Sequence, residues 1–276
     1  MPDQNHLVER AKEIRNLVLD MIFEAKSSHL GCALSIVDIL TALYFGDILN
    51  IDPKNPDWED RDKFILSKGH ACVALYATLA LRGYFPLEKL KEYGTDGTLI
   101  GDHNTRGALP GIETTNGSLG HGLPIGIGMA LAAKKTRRKT RRPSRVFVLV
   151  GDGELQEGSN WEALMFAGFH KLNNLILIID NNNLETLGPT NKILSLATIH
   201  KKLESFGWDA ENVYGHSFAE IIGQLNIPHQ KPFALNCQTT KGMGVPFMHN
   251  DYIWHGKCPT KEEYERAKRE LSGGAQ

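Results

Sequence analysis

The chain has 276 residues, is 41% hydrophobic and carries a net charge of −1, which fits one large α/β domain or two small ones. This charge gives no global reason to expect nucleic acid as a partner. The four cysteines form no CxxC pair, and no apolar run reaches the ~20 residues that cross a membrane, so we expect reduced thiols, a cytoplasmic setting and no membrane partner.

The first half of the chain predicts helices with one short strand among them. Apolar residues recur at the spacing of a helix face over residues 6–26, 35–49 and 71–82. The strand is expected at 64–66 and leads into a Ser-Lys-Gly-His turn at 67–70. Residues 94–122 hold many glycines and few periodic apolar positions, and a loop of this length in a compact domain is usually functional.

The second half alternates helices and strands, a pattern typical of a parallel sheet. Helices are expected over residues 126–135, 160–170 and 260–271, the last with a capping box of Thr260 and Glu263. Strands are expected at 146–150, 175–179 and 233–239, with a polar loop over 181–200. We therefore predict one doubly wound, mainly parallel α/β domain over residues 1–276, flanked by helices and with its long loops at one edge of the sheet.

One segment, residues 134–145, is rich in lysine and arginine and has no acidic residue. We interpret it as a solvated loop that contains Pro143, because a few like charges in one loop do not make the basic face that nucleic acid requires. Whether the run has a role of its own stays open at this stage.

Polar residues follow two of the predicted strands. Asp152, with a glycine on each side, follows the strand at 146–150, and Asn181 and Asn182 follow the strand at 175–179. The carboxyl ends of parallel strands meet at the edge where ligands bind, and oxygen donors such as these suit a hard divalent cation. Because the glycines let an anionic group approach the backbone closely, the pattern predicts a metal–diphosphate site.

Four histidines lie in predicted loops beside glycine or small residues, namely His29, His70, His103 and His255. A single loop histidine is usually only a surface residue. Four of them beside a metal–diphosphate motif suggest a role, because imidazole can donate to phosphate oxygens or move protons near neutral pH. Their local spacing contains no pattern such as HxxxH, so no zinc site is expected from the sequence.

At these positions the chain resembles the amino-terminal, diphosphate-binding part of transketolase, from about residue 10 to 265. The motifs that carry the resemblance are Ser-Lys-Gly-His at 67–70, Gly-Ser-Leu-Gly at 117–120, Gly-Asp-Gly at 151–153, Asn-Asn at 181–182, Thr-Lys-Gly at 240–242 and His-Gly at 255–256. The resemblance implies the thiamin-diphosphate-binding fold, in the form of the domain that holds the diphosphate.

The resemblance also implies roles by position. Asp152, Asn182 and the backbone carbonyl of Leu184 would hold Mg²⁺ or Ca²⁺. The residues expected at the cofactor thiamin diphosphate are His70, Gly117, Ser118, Leu119, Gly153, Glu157, Asn182, Lys241 and His255. The four histidines would face the ketose as catalytic residues, and Glu157 matches a glutamate at the contact between subunits.

The chain departs from the family at several positions near the expected sugar site. Ser28 and Leu30 flank His29 where the family usually has Gly and Pro, and residues 102–106 replace a more usual Gly-His-Pro run. His121 stands where Gln is commoner. These differences bear on which sugar is used more than on the chemistry.

The expected function is that of the amino-terminal subunit of a two-component transketolase, which moves a two-carbon ketol unit from a ketose phosphate to an aldose phosphate. Full transketolases continue into a pyrimidine-binding domain that supplies the activating glutamate. We therefore expect the partner to be a separate carboxy-terminal transketolase subunit. We also expect an α₂β₂ heterotetramer and no activity from this chain alone.

Three alternatives remain open on the sequence. One is a related ketol-transfer or synthase reaction on an unusual sugar in specialised metabolism. Another is the α chain of a 2-oxoacid dehydrogenase, which shares the metal motif but would not explain His29, His70 and His103 together. The last is an inactive regulatory chain, which the intact Asp152, Asn182 and loop histidines disfavour.

Overall fold

A five-stranded parallel sheet forms the centre of the structure, a computed structural model that describes residues 3–136 and 144–273. Its strands are β1 (Lys63–Leu66), β2 (Val146–Gly151), β3 (Leu175–Asn181), β6 (Asp209–Tyr214) and β7 (Phe233–Gln238). They lie in the order β1-β2-β3-β7-β6, and each neighbouring pair is parallel, so all five end at the same edge. A separate antiparallel pair, β4 (Leu184–Glu185) and β5 (Gly188–Pro189), follows β3.

The α-helices surround this sheet. They are α1 (Gln4–Ala25), α2 (Leu30–Ser35), α3 (Val37–Phe45), α4 (Cys72–Arg82), α5 (Gly122–Lys135), α6 (Gly158–Phe169), α7 (Thr190–Ile193), α8 (Ile199–Ser205), α9 (Phe218–Leu225) and α10 (Lys261–Leu271). Among the described residues, no helix combines the length and the apolar character needed to span a bilayer.

Alternation along the strands explains the two helical layers. Phe147 and Leu149 of β2 point into one core, which α1, α3 and α4 cover. Val146, Val148 and Val150 point into a second core on the opposite face, covered by α5 and α6. Strands that are buried on both faces are near-continuously apolar, as the runs in β2 and β3 are. The predicted doubly wound α/β fold is confirmed.

Several boundaries differ from the sequence prediction. The helix expected at 35–49 is the shorter helix α3, which ends at Phe45, and the short helix α2 that precedes it had no prediction. The loop expected at 181–200 holds β4, β5, α7 and the start of α8. Residues 94–121 run as turns and irregular loop, close to the expectation, and the capping box of Thr260 and Glu263 is present.

Strand β6 and helix α9 had no prediction. β6 has the sequence DAENVY, in which Val213 alone is buried, so an edge strand of this kind carries almost no hydrophobic signal. The short helix α9 does begin at a recognisable N-cap, where Ser217 accepts from the backbone N–H of Glu220. Most of the basic run, residues 137–143, lies outside the described residues.

Candidate functional site

The carboxyl edge of the sheet carries polar residues from four strands. Lys68 follows β1, Asp152 follows β2, Asn182 follows β3, and Lys241 lies shortly after β7. These residues line one cavity of about 250 Å³, together with His70, Leu119, Gly153, Glu157, Leu184 and His255. A larger cavity of about 420 Å³ lies on the other side of Asp152 and is lined mainly by amides, hydroxyls and apolar groups. The smaller cavity holds the cations and imidazoles, so we place the site there.

Asp152 presents a buried carboxylate oxygen to this cavity. Its Oδ1 accepts from the Gly153 N–H at 2.9 Å, whereas Oδ2 is buried and has no hydrogen-bond partner within the described part of the chain. Burial, and then the nearby Asp180, raise the pKa of Asp152 to about 7. An orphaned buried carboxylate oxygen is costly unless something binds it.

Asn182 and Leu184 supply the other expected oxygen donors beside Asp152. The Asn182 side-chain oxygen accepts from the Leu184 N–H at 3.1 Å, which ties the two residues together just after β3. A carboxylate, an amide oxygen and a backbone carbonyl are the hard donors that Mg²⁺ and Ca²⁺ prefer. The residues present therefore fit a hard divalent cation.

Lys241 brings a positive charge to the same end of the cavity. It is buried, and its Nζ donates to the Leu184 carbonyl at 3.4 Å. Burial lowers the pKa of Lys241, and the nearby Lys68 acts in the same direction. A buried ammonium beside an open cavity favours an anionic ligand such as a diphosphate.

Lys68 and Asp180 form a buried ion pair next to Asn182. Asp180 is fully buried and accepts from Lys68, from Ser35 Oγ at 2.7 Å and from Thr239 Oγ1. Burial opposes ionisation of both partners, but their mutual attraction outweighs it, lowering the pKa of Asp180 and raising that of Lys68. Asp180 also accepts from Asn182 Nδ2 at 3.1 Å, so the Asn182 oxygen is turned away from it.

Sequence reasoning missed this pair. Lys68 was part of a recognised motif but had no assigned partner, and Asp180 directly follows the apolar run at 175–179. The signal that could have found it was a carboxylate at the end of a strand that is buried on both faces. Such a charge needs a partner, and the fold supplies Lys68 from a distant turn.

Glu154 holds the glycine-rich loop against the strand ends, a second contact that the sequence did not reveal. It is buried and accepts from Ser67 Oγ, from Gly120 N at 3.0 Å and from Gly151 N at 3.2 Å. Burial raises the pKa of the Glu154 carboxyl. Two distant segments and the end of β2 therefore meet at this one side chain, which fixes where Leu119 lies.

The four predicted histidines come together in one cluster, of which His70 and His255 line the cavity. The ring centroid of His29 lies 4.8 Å from that of His70 and 5.1 Å from that of His255. His103 completes the cluster, 4.8 Å from His70 and 5.9 Å from His29. The backbone also links them, because His29 N donates to the His255 carbonyl at 2.8 Å.

Burial keeps three of these imidazoles neutral at pH 7. It lowers the pKa of His70 to about 4, with His29 adding to the effect, and that of His255 to about 3, with Lys241 adding to it. The pKa of His29 is also lowered, by burial and then by His103. A neutral imidazole offers one donor and one acceptor, which suits hydroxyl and carbonyl groups.

Gly117 allows the loop to approach His103. Its φ of 153° is one that side-chain-bearing residues rarely adopt, and a Cβ there would lie 2.7 Å from Cδ2 of the His103 ring. The ring is also held by Asp102, whose Oδ1 lies 3.0 Å from His103 Nδ1.

Asn104, where proline is usual, is buried and donates to Asn116 Oδ1 at 3.1 Å, which closes the base of the loop. Ser118 is exposed beside it.

Glu157 lies exposed at the cavity, and helices α5 and α6 carry exposed apolar side chains. Glu157 is the N-cap of α6, and within the residues described its side chain makes no capping hydrogen bond. Helices α5 and α6 expose Ile125, Met165, Phe166 and Phe169, the last 81% accessible. An interaction surface is marked by exposed apolar groups that form a contiguous patch, so this face is a candidate for one.

The comparisons with known proteins agree with the motifs on this edge. The family model described as transketolase, thiamine diphosphate binding domain, matches residues 7–274. The chain belongs to this family. It is 40% identical over 266 residues to a subunit of the apulose-4-phosphate transketolase of Phocaeicola vulgatus, a match that covers 95% of this chain and 92% of that protein.

Two further relatives define the class. The 6-deoxy-6-sulfo-D-fructose transketolase subunit SqwG of a Clostridium species is 39% identical, with 97% of each chain covered. The solved transketolase from Campylobacter jejuni superposes with a TM-score of 0.92 at 34% identity, covering 99% of this chain and 43% of that one. The chain thus belongs among transketolase-type transferases and spans less than half the length of that solved enzyme.

Proposed function

We propose that this chain is the amino-terminal, diphosphate-binding subunit of a two-component transketolase that depends on thiamin diphosphate. It would transfer a two-carbon ketol unit from a ketose phosphate to an aldose phosphate. The observation that carries the proposal is a single cavity lined by an orphaned carboxylate oxygen, a buried lysine and the imidazoles of His70 and His255, which pack against those of His29 and His103. Residues 1–276 would form one cofactor-binding unit.

The two ends of the cavity divide the task. Asp152, Asn182 and the Leu184 carbonyl would hold Mg²⁺ or Ca²⁺. The cofactor's diphosphate and rings would contact His70, Gly117, Ser118, Leu119, Gly153, Lys241 and His255, with Glu157 at the edge. When bound, thiamin diphosphate supplies the nucleophilic carbon that carries the two-carbon unit.

The chain's own residues would bind and orient the ketose and would move protons to and from it. His29 and His103 would face the carbonyl and hydroxyl groups of the ketose, together with His70 and His255. Because the rings of His29, His70 and His255 are neutral at pH 7, each can accept a hydroxyl proton at one nitrogen and donate from the other. Leu119 would exclude water from the reacting atoms.

The proposal includes a partner. A carboxy-terminal transketolase subunit with a pyrimidine-binding domain would cover the exposed α5–α6 face and supply the activating glutamate next to Glu157. Two relatives that are named as subunits of apulose-4-phosphate transketolase are matched over 92% and 96% of their own lengths, which supports a separate partner chain. A two-fold α₂β₂ assembly is the commonest way to close such a complex.

A cytoplasmic location is also part of the proposal. The structure shows four free cysteines, three of them buried. Free thiols persist in a reducing compartment, which supports this location.

A related ketol transfer on an unusual sugar is the second candidate. Two of the relatives are named for apulose 4-phosphate and 6-deoxy-6-sulfo-D-fructose, and this chain departs from the family at Ser28, Asp102 and His121. The α chain of a 2-oxoacid dehydrogenase loses support, because the matching family is transketolase and the histidines do converge.

A product analysis tests the proposed chemistry. The chain is coexpressed with a carboxy-terminal transketolase subunit that carries a pyrimidine-binding domain, and ketose phosphates are supplied with an aldose acceptor, thiamin diphosphate and Mg²⁺. We expect mass spectrometry to show an acceptor extended by two carbons and a donor shortened by two. Decarboxylation of a 2-oxoacid in place of sugar transfer would contradict the proposal, and turnover of a branched or sulfonated sugar alone would select the second candidate.

A further inference from the structure

We propose that His29, His70 and His255 form a binding site for Zn²⁺ and the related ions Co²⁺ and Ni²⁺, separate from the hard-cation site at Asp152. Each histidine offers one ligand nitrogen, and these three atoms all lie within 4.8 Å of one another. No such site was expected from the sequence, because the three positions are far apart in the chain. The tertiary fold creates the cluster.

The geometry is close to what a zinc ion requires. With Zn–N bonds of about 2.0–2.1 Å, the nitrogens of a tetrahedral site lie roughly 3.4 Å apart. From 4.8 Å, each ring needs to move inward by less than about 1 Å, and half-buried imidazoles on loops can do so by small side-chain rotations. The hydrogen bond from His29 N to the His255 carbonyl already holds two of the ligands at a fixed spacing.

Free ring nitrogens support the assignment. The Nδ1 of His255 is buried and, over the residues that the structure describes, has no hydrogen-bond partner. Buried polar atoms normally have one, so this nitrogen is available to a ligand. His29 has one ring nitrogen 3.2 Å from Ser28 Oγ, which orients the ring and leaves the other nitrogen for a metal. His103, 4.8 Å from His70 between ring centroids, or a water could complete the coordination.

The donor set selects the class of metal. Three imidazoles favour zinc, cobalt, nickel and copper, whereas Mg²⁺ and Ca²⁺ need oxygen donors. The surrounding charges partly offset one another. Lys241 opposes a cation, Lys68 is paired with Asp180, and the Asp102 carboxylate attracts one. We therefore expect reversible binding.

A titration of the full chain tests the site without reference to enzyme activity. The purified chain is stripped with chelator and titrated with ZnCl₂ by calorimetry, and with Co²⁺ while the visible absorption is recorded. We expect one equivalent of Zn²⁺ and the intense visible bands of tetrahedral cobalt. The variants His29→Asn and His255→Asn should each weaken binding by more than about tenfold, since removal of an outer-shell partner alone costs 10–100-fold.

Two control variants locate the metal. His6→Asn removes an exposed histidine on α1, and Asp152→Asn removes the carboxylate of the proposed hard-cation site; Zn²⁺ affinity should be unchanged in both. Circular dichroism checks that every variant folds. Absence of Zn²⁺ binding in the unmodified chain, equal affinity in all variants, or loss in Asp152→Asn alone would overturn the site.

A kinetic measurement links the site to the proposed function, on which this one step rests. If the same nitrogens serve the ketose, Zn²⁺ added over excess Mg²⁺ should raise the apparent KM for the donor in the reconstituted enzyme and leave kcat nearly unchanged. Zn²⁺ binding that passes the titration but leaves the donor KM unchanged would contradict the role of the histidines in sugar binding. The metal site itself would still stand.

Discussion

The two ends of the cavity are built in different ways. At the metal end, side chains leave the strands β1, β2 and β3 directly, and the buried charges of Lys68 and Asp180 satisfy each other. At the histidine end, four separate segments bring half-buried rings together, and two of these segments are short 3₁₀ helices. In the proposed function, a rigid edge would hold the part of the ligand that does not react, and the histidine cluster would face the part that varies between substrates.

The largest expected effect is at the metal end. Asp152→Ala removes the carboxylate among the proposed metal ligands, so Mg²⁺-dependent binding of thiamin diphosphate should be lost. The fold should be retained, because the orphaned oxygen of Asp152 is costly where it lies. Calorimetry in the complete complex measures the affinity, and circular dichroism checks the fold. Unchanged cofactor affinity would show that the metal lies elsewhere.

The ion pair beneath the metal end should govern stability. Lys68→Met leaves the buried Asp180 without its cation, which costs about 3–5 kcal/mol of unfolding free energy. Adding Asp180→Asn should recover much of this, since the amide still hydrogen-bonds to Ser35 and Thr239. Urea denaturation followed by circular dichroism gives both values. A cost below about 1 kcal/mol for the single variant would show that the pair is not needed.

Two residues of the histidine cluster should affect different steps. His103→Ala should lower turnover and donor affinity by about 10²-fold, the effect of losing one proton-transfer or hydrogen-bonding group. His70→Ala should instead weaken cofactor binding, because His70 lines the cavity next to Lys68 and Asp152. Steady-state kinetics and cofactor titrations separate the two variants. Identical titrations would mean that His70 and His103 do not divide the roles in this way.

The smallest expected effect is the pH dependence of stability. His70 and His255 have folded-state pKa values of about 4 and 3, below the ordinary 6.5. At a pH between each folded-state pKa and 6.5, the unfolded chain therefore binds more protons than the folded chain. The stability that comes from keeping these two rings neutral is complete above pH 6.5 and declines as the pH falls toward 4 and 3. The melting temperature should fall between about pH 7.5 and 5, and less so in a His70→Asn/His255→Asn double variant. Equal slopes in both proteins would show that other groups are responsible.

The sequence predicts the metal end better than it predicts the supports beneath it. Asp152 and Asn182 follow apolar strands, and the rule that parallel strands end at one edge brings them together without further information. Lys68 and Asp180 pair across 112 positions, and Glu154 accepts hydrogen bonds from two distant segments, at Ser67 and Gly120. These contacts depend on tertiary packing, which local patterns in the sequence do not reveal.

The same limit applies to the histidines and to the sheet edge. Each histidine was recognisable by its glycine-rich surroundings, yet the distances of 4.8–5.9 Å between most of their rings come only from the fold. β6 escaped prediction because its exposed residues lack alternation, although its pairing with β7 completes the sheet. A strand with one buried side chain, such as β6, forms because of its pairing with a neighbouring strand rather than because of its own sequence pattern.

The central claim is that this chain contributes one half of a site completed by another polypeptide. The direct measurement is ketol transfer from a ketose phosphate to an aldose phosphate, with thiamin diphosphate and Mg²⁺, by the chain alone and after addition of the pyrimidine-domain chain. We expect no transfer and weak cofactor binding from the chain alone, with self-association through its exposed α5–α6 face, and turnover once the partner is present. Robust turnover by the 276-residue chain alone would contradict the account.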